Sequence, residues 1–535
     1  MMEPAVLMRR LIDEGVALRE CVRAGLIGPM PLSAAAATVT SMAKFGMIGG
    51  ALSASAARGP DRIAVIDELG TLTYAELDGD TNAIAHRWRA EGLRAGASVA
   101  IMARNHRGFL MALFAAGKCG ARIVLLNHDF AGPQLREVAE REGVDLLVYD
   151  EEYAAAVREV SAAHGKWRAW ADTPGDDTLA AAAADPIRGP LPRPAVQAKL
   201  VVLTSGTTGT PKGAPRPDPR SLTPMGGLFG KVPYRSGEVI EICPPLFHAL
   251  GLNQAVLAIA MGMTVVIRRR FDPLVTLASI ARHRVTTLIL VPVMLQRMLD
   301  AEPNPRERHD LSALRIIFLA GSQLGAPLCT RALDAFGPVL YNLYGSTECF
   351  YATLATPDEL TAEPGCVGTA VRGVRLEILG PDDQPVPTGV TGRIFIANQL
   401  QFEGYTGGAT KQRVRGLMSS GDVGHVDATG RLFIDGRDDD MIVSGGENVF
   451  PGEVEETLAA HPGIEEVAVL GVADPEFGHR LKAFVVARAG AQLTEDDVKS
   501  YVRATLARFK VPREVVFLDE LPRNPTGKVL KRQLS

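Results

Sequence analysis

Between positions 203 and 213 the chain reads Leu-Thr-Ser-Gly-Thr-Thr-Gly-Thr-Pro-Lys-Gly, directly after the apolar run 199–203. Four threonines, one serine and three glycines in eleven residues are too specific for a plain connector. Glycine lets the backbone turn its N–H groups toward an anion, the hydroxyls add donors, and Lys212 adds a point charge. The chemistry this predicts is anion capture. The loop is not a Walker A loop, which needs Gly where Pro211 stands and Ser or Thr where Gly213 stands.

Such a loop needs rigid strands behind it, and the pattern supplies them. Residues 63–67 and 70–73 predict a hairpin, 74–91 a helix, 99–103 a strand and 107–119 another helix. Apolar runs recur at 200–203, 286–292 and 316–320, with a helical stretch at 293–301. Continuous apolar strands alternating with helices predict parallel sheets covered on both faces. The Pro-rich stretch 186–194 reads as an internal linker between two lobes. After Gly365 come short strands with tight turns, at 374–379, 392–397, 424–426 and 432–434. Beyond Asp440 a compact α+β pattern follows: helix 451–460, strands 467–472 and 481–486, helix 494–506 and strand 514–517.

Composition bounds the rest. The chain has 535 residues, so a prior of roughly 150 residues per domain predicts three or four structural units. Hydrophobic residues are 47% and charged residues 22%, which excludes a largely disordered chain. Lys+Arg 57 against Asp+Glu 61 gives a net charge of −4 without a basic stripe, which argues against a nucleic-acid partner. Six cysteines without a C-x-x-C pair read as core residues of a reducing compartment. The apolar stretch 255–267 falls short of the ~20 residues that span a bilayer. Glu3, Asp13 and Glu14 interrupt any signal-peptide pattern around Arg9 and Arg10. A soluble cytoplasmic protein is the expectation. Residues 1–57 stand apart as an N-terminal helical appendage, with an amphipathic helix over 7–25 and an Ala/Ser/Met/Gly-rich stretch over 33–57. The plain expectation is packing on the main body; the sharper alternative is peripheral membrane contact.

Further motifs follow in a fixed order: Pro244-Pro-Leu-Phe-His-Ala-Leu-Gly251, Tyr341-Asn-Leu-Tyr-Gly-Ser-Thr-Glu348 and Ser420-Gly-Asp-Val-Gly424. Then come 436–448, Gly-Arg-Asp-Asp-Asp-Met-Ile-Val-Ser-Gly-Gly-Glu-Asn, and 522–532, Pro-Arg-Asn-Pro-Thr-Gly-Lys-Val-Leu-Lys-Arg. With the loop at 203–213, this ordered set resembles the adenylate-forming superfamily of acyl-CoA synthetases, luciferases and peptide-synthetase adenylation domains, over about residues 50–535.

The resemblance implies an acid made reactive as its acyl-adenylate, with ATP and Mg²⁺ as requirements and coenzyme A as acceptor. It places the β- and γ-phosphates on Thr204, Ser205, Gly206, Thr207, Thr208, Gly209 and Lys212. It places the metal on Glu348, a hard oxygen ligand, and the α-phosphate on Thr347, with Gly345 and Ser346 beside it. Asp422 would accept from the ribose hydroxyls with Arg437 nearby. Tyr344 and Ile434 would flank the adenine, and Gly321, Ser322 and Gln323 would line its edge. Lys528 would be the catalytic lysine, offsetting charge in the transition state. Asp439 matches the hinge, Gly445 and Gly446 the passage for the pantetheine arm, and His248 a position near the acyl pocket.

The implied fold is α/β: a large N-terminal body, 58–436, of two doubly wound lobes plus a small β-barrel-like portion, then a mobile C-terminal α+β domain, 437–535. The segment 213–220 carries three prolines and lacks the histidine common in relatives, and Arg393 stands where the family keeps Glu. The apolar region 249–267 behind His248 favours a medium- to long-chain fatty acid, hence a long-chain fatty-acid–CoA ligase. The alternatives are a fatty-acyl-AMP ligase that loads a carrier protein, and a CoA ligase for an aryl or other non-fatty acid. A luciferase-like oxygenase is a further rival. A serine hydrolase would need a Gly-x-Ser-x-Gly elbow, and the chain contains none.

Overall fold

The computed structural model describes residues 4–128, 130, 132–204, 212–215, 221–346, 348–401, 411–438, 442–444, 447–474, 478–507, 510–524 and 527–534. The chain divides into two compact units. The first is built mainly from the chain up to Leu290 with Arg306–Phe318, and the second from Val291–Pro305, Leu319–Gln399 and Lys411–Ser535.

The first unit holds two sheets. One runs in the order Lys166–Trp170, Val144–Asp150, Ser98–Met102, Arg122–Leu125, Lys199–Thr204, Lys212–Pro215. Every pairing is parallel except the last. Ser98–Met102 is buried at all five positions, as its unbroken apolar run requires of a strand covered on both faces. His106 caps the following helix, Arg107–Cys119: its Nδ1 accepts from the Gly108 N–H at 3.0 Å, while Nε2 meets buried Asp150 at 2.8 Å. The second sheet orders Ile316–Leu319, Thr287–Leu290, Val239–Ile242, Thr264–Ile267, Ile63–Asp67 and Gly70–Thr73. Its last two strands form the expected hairpin.

The N-terminal residues form two helices in this same unit, α1 (Pro4–Arg23) and α2 (Leu32–Arg58). α1 packs on helix Thr223–Lys231 so closely that a Cβ at Gly226 would strike Ala17. α2 breaks at Gly46 (φ 71°) and crosses helix Arg107–Cys119, where a Cβ at Gly49 would lie 2.8 Å from Gly117. The small-residue composition of 33–57 is thus a close helix–helix seam. The Pro-rich stretch is laid along helix Tyr74–Ala90: Arg188 pairs with Asp80, and the Asn82 side chain donates to the Arg188 carbonyl at 3.1 Å.

In the second unit Leu340–Tyr344, Thr353–Ala355 and Thr369–Ala370 pair antiparallel. A separate antiparallel sheet orders Arg375–Leu379, Gly392–Ala397, Leu417–Val426 and Arg413–Val414, with Leu432–Arg437 also on Leu417–Val426. The C-terminal part is α+β. Strands Ile464–Asp474 and Gly478–Ala487 pair along their length, Glu514–Phe517 joins the latter in parallel, and helices Pro451–Ala459 and Glu495–Thr505 cover the sheet. Leu458, Val469, Leu481, Val498 and Val502 fill the core beneath those helices.

Candidate active site

In the second unit, strands Leu417–Val426 and Leu432–Arg437 pair so that Asp422 lies opposite Arg437 and Gly424 opposite Ile434, with a register shift between Val423 and Gly424. A shift of this kind re-aims side chains at a sheet's functional end. The Ser420 hydroxyl accepts from the Asp422 N–H at 3.0 Å and donates to the Ile394 carbonyl at 3.1 Å, which fixes the backbone of the Ser-Gly-Asp motif. Tyr344, at the end of strand Leu340–Tyr344, donates from its hydroxyl to Asp422 Oδ2 at 2.6 Å. Arg437 Nη1 donates to Oδ1 at 3.2 Å. Burial and the adjacent Asp422 carboxylate push the Tyr344 phenol well above its ordinary pKa, so it remains a donor. A carboxylate has about four lone-pair sites, so beyond these two bonds Asp422 keeps acceptor capacity for a ligand's hydroxyls among the described residues. The side chain of Ile434 is half-buried on the strand opposite Gly424.

The chain then turns tightly from Tyr344 to Thr353. A Cβ at Gly345 would press into the Phe350 carbonyl, so only glycine fits there. The Ser346 hydroxyl accepts from the N–H groups of Glu348 at 3.2 Å and Cys349 at 3.4 Å. Phe350 takes φ 66°, an unusual conformation for a side chain with a Cβ. Asn398 braces it: Nδ2 donates to the carbonyls of Cys349 at 2.6 Å and Tyr351 at 2.9 Å. The turn therefore presents Glu348 on a fixed backbone. Mg²⁺ is held through one or two carboxylates together with substrate phosphates. Among the described residues no cluster of three or more His, Cys, Asp or Glu side chains could hold a metal by itself. A single carboxylate on this braced backbone fits a magnesium ion that arrives with a nucleoside triphosphate.

Gly321 (φ 97°), Ser322 and Gln323 follow strand Ile316–Leu319. Lys528 sits on a hairpin in which Asn524 Oδ1 accepts from the Lys528 N–H at 2.9 Å and Gly527 takes φ 79°. Val291 joins the two segments. Its methyls lie 3.4 Å from a Cβ placed on Gly321 and 3.6 Å from one placed on Gly527. The lysine hairpin and the 321–323 segment are thus neighbours, with the Lys528 side chain exposed. Arg523 Nη2 anchors the hairpin base to Glu466 at 2.9 Å.

Two residues absent from the sequence reading belong here, Asn398 and Lys411. Lys411 Nζ donates to the Ser420 carbonyl at 2.7 Å and would lie 3.3 Å from a Cβ on Gly421, as would Arg437 Nη2. The Ser-Gly-Asp motif therefore carries two cations beside its glycine. Only their separation from the motif in sequence hid them.

In the first unit, strand Lys199–Thr204 pairs back with Lys212–Pro215, Thr204 opposite Lys212, on either side of the anion loop. Ser205, Gly206, Thr207, Thr208 and Gly209 lie outside the described residues, as do Thr347, Asp439, Gly445 and Gly446; for Thr204 and Lys212 only the backbone is described. His248 precedes helix Ala249–Ala260, its ring 4.1 Å from Phe247, which in turn meets His128 edge-on at 4.5 Å.

The model of the AMP-binding enzyme family matches residues 52–406, and that of the AMP-binding enzyme C-terminal domain matches 453–528. The chain belongs to this family, the adenylate-forming enzymes whose motifs it carries. It is 35% identical over 475 residues to a feruloyl-CoA synthase of an Amycolatopsis species, covering 86% of this chain and 93% of that enzyme. It is 33% identical over 503 residues to the indoleacetate–CoA ligase of Aromatoleum aromaticum, covering 88% and 94%. Among solved structures, the o-succinylbenzoate CoA synthetase of Bacillus subtilis with its acyl-adenylate intermediate superposes with a TM-score of 0.79 at 27% identity, covering 91% of this chain and 97% of that one. The same enzyme with ATP and a magnesium ion gives 0.78 at 26% identity, covering 90% and 98%.

Proposed function

We propose that this protein is an AMP-forming acid–thiol ligase that activates an aromatic carboxylic acid as its acyl-adenylate and passes the acyl group to coenzyme A. The observation that carries the acid class is the run of relatives named for feruloyl, indoleacetate and succinylbenzoate groups. The expectation of a medium- to long-chain fatty acid gives way to the aryl alternative. The apolar 249–267 region that suggested it is a helix–strand pair of the sheet, helix Ala249–Ala260 and strand Thr264–Ile267, and its burial is ordinary core packing.

In the first step a carboxylate oxygen attacks the α-phosphorus of ATP, the P–O bond to the leaving group breaks, and pyrophosphate departs. In the second the thiol sulfur attacks the acyl carbonyl, and AMP departs carrying that oxygen. Two anions meet in the first step, so the site must supply fixed positive charge and donors. We assign the phosphates to the loop 204–212, the ribose to Asp422 beside Arg437, and the adenine to Tyr344, Ile434 and Gly321–Gln323. Lys528 stabilises the pentacoordinate phosphorus, and Glu348 would hold a magnesium ion, which would offset phosphate charge. His248 orients the acid. Asp439 is the hinge about which 437–535 turns between steps, and Gly445 with Gly446 admits the pantetheine arm. Among the described residues no helix is long and apolar enough to cross a membrane.

The test is a panel of acids with purified protein, ATP, Mg²⁺ and coenzyme A, with AMP and thioester both quantified. Hydroxycinnamates, indole-3-acetate and benzoates stand against saturated fatty acids from acetate upward. The expected result is the highest kcat/KM on an aromatic acid with one thioester per AMP. A fatty acid that beats every aromatic acid overturns the acid class, and AMP release dependent on a carrier protein instead of coenzyme A overturns the acceptor.

A further inference from the structure

α1 turns small residues inward and large ones outward. Ala17, Cys21 and Ala24 are buried on the side that meets helix Thr223–Lys231. Met8, Leu11, Ile12, Leu18 and Val22 are 61%, 60%, 55%, 46% and 50% exposed. At about 100° per residue these five fall on one stripe, roughly opposite the buried seam. A surface helix ordinarily keeps its large apolar residues on the core side, and a contiguous exposed apolar strip marks an interaction site. The helix lies wholly ahead of residues 52–406, the part matched by the family model, so the shared fold does not account for it.

The charges on α1 are sorted in the same sense. Glu14 faces inward, accepting from the Leu222 N–H at 3.1 Å and the Thr223 hydroxyl at 3.2 Å. Glu20 is buried, with a 5% exposed side chain, and is neutralised by Arg19 at 2.8 Å and Arg23 at 2.7 Å. The Arg19 and Arg23 side chains are 74% and 60% exposed, and Arg10 is exposed too. Asp13 is half-buried. By the same rotation Arg19 falls within the apolar stripe and Arg23 at its edge, both paired with Glu20, whereas Arg10 falls on the seam side; two of the three carboxylates are turned in. Two copies pairing through this face would set like charges against one another, whereas an anionic bilayer offers an apolar interior beneath a negative rim.

We propose that α1 docks the protein peripherally on an anionic lipid surface, lying in the interface with its apolar stripe among the upper acyl chains and its arginines at the phosphates. The experiment is sedimentation of the full chain with vesicles of phosphatidylcholine alone or mixed equally with phosphatidylglycerol, at low and high salt. Binding should require the anionic lipid and weaken with salt. Leu11→Ser with Leu18→Ser should lower partitioning at least about tenfold, with vesicle-free thioester synthesis and melting temperature unchanged. Arg19→Gln should lower it by about fivefold. Equal binding to both vesicles would overturn the anionic assignment. A wild type that binds neither, or a dimer that the double serine variant dissolves without any vesicle binding, would overturn the proposal outright. Neither outcome touches the ligase reading, which the soluble assay reads independently.

Discussion

The Tyr344 hydroxyl donates to one oxygen of Asp422 at 2.6 Å while Arg437 donates to the other at 3.2 Å. Asp422 is thereby held from both sides, with acceptor capacity left for a ligand. Losing a hydrogen bond to a charged group costs about 1.5–3 kcal/mol, or roughly 10- to 100-fold. Asp422→Asn should raise KM for ATP within that range, and Tyr344→Phe should raise it by less, because the ring remains. Pyrophosphate release against ATP concentration checks both. An Asp422→Asn enzyme with wild-type KM for ATP would remove this residue from the ribose site.

The Asn398 brace implies a second-order effect on the metal. Asn398→Ala frees the carbonyls of Cys349 and Tyr351 and lets Phe350 leave its φ of 66°. The half-saturating Mg²⁺ concentration for adenylation should rise several-fold, and Glu348→Gln should raise it further, toward the 10²–10³ lost with a preorganised electrostatic contact. Magnesium titrations of both variants are the check. Unchanged magnesium dependence in Asn398→Ala would reduce the residue to a structural one.

Glu241 makes stability depend on pH. It is 1% exposed on strand Val239–Ile242, 3.4 Å from Arg268 Nε, and burial pushes its carboxyl from 4.5 up to about 7. The neighbouring Cys243 thiol is raised by burial and by Glu241. Because the folded pKa lies above the unfolded one, the folded state binds the extra proton. The contribution is complete below about 4.5 and is lost as pH rises through about 7. At roughly 1.4 kcal/mol per pH unit the loss amounts to about 3 kcal/mol. Glu241→Gln should flatten this part of the profile, read as urea midpoints of wild type and variant at about pH 5 and about pH 8. Parallel profiles would contradict it.

Two glycines of the helical pair should respond oppositely. Gly15 in α1 has nothing within 4 Å of a Cβ, so Gly15→Ala should stabilise by about 0.5–1 kcal/mol. Gly226→Ala drives a methyl into Ala17 and should cost about 1–3 kcal/mol. Melting temperatures of equal sign for the two variants would argue against the packing of α1 on helix Thr223–Lys231.

Local pattern alone places the helix Arg107–Cys119 and the hairpin Ile63–Asp67/Gly70–Thr73, because His106 caps the one and two short runs with β-branched residues, parted by a turn, mark the other. The second N-terminal helix escaped because its apolar period is drowned in Ala, Ser and Gly, whose role is the close approach of Gly49 to Gly117. Motif order carried the family. It did not carry the hydroxyl bond from Tyr344 to Asp422, 78 residues apart, which depends on how separate sheets are brought together. Asn398 and Lys411 are ordinary polar residues in sequence and become informative only through the carbonyls they hold. The acid class was illegible for a related reason: residues that line an acyl site are dispersed along the chain, and the one apolar stretch long enough to notice is core.

Lys528, on a hairpin that meets Val291 beside Gly321, is proposed to serve only the first of the two steps. The most direct measurement is acyl-AMP and acyl-CoA quantified separately for wild type and Lys528→Ala, once from acid plus ATP and once from supplied acyl-AMP plus coenzyme A. Lys528→Ala should lose acyl-AMP formation by on the order of 10²-fold or more and still convert supplied acyl-AMP to thioester at close to the wild-type rate. Equal loss in both half-reactions, or adenylation at the wild-type rate, would contradict it.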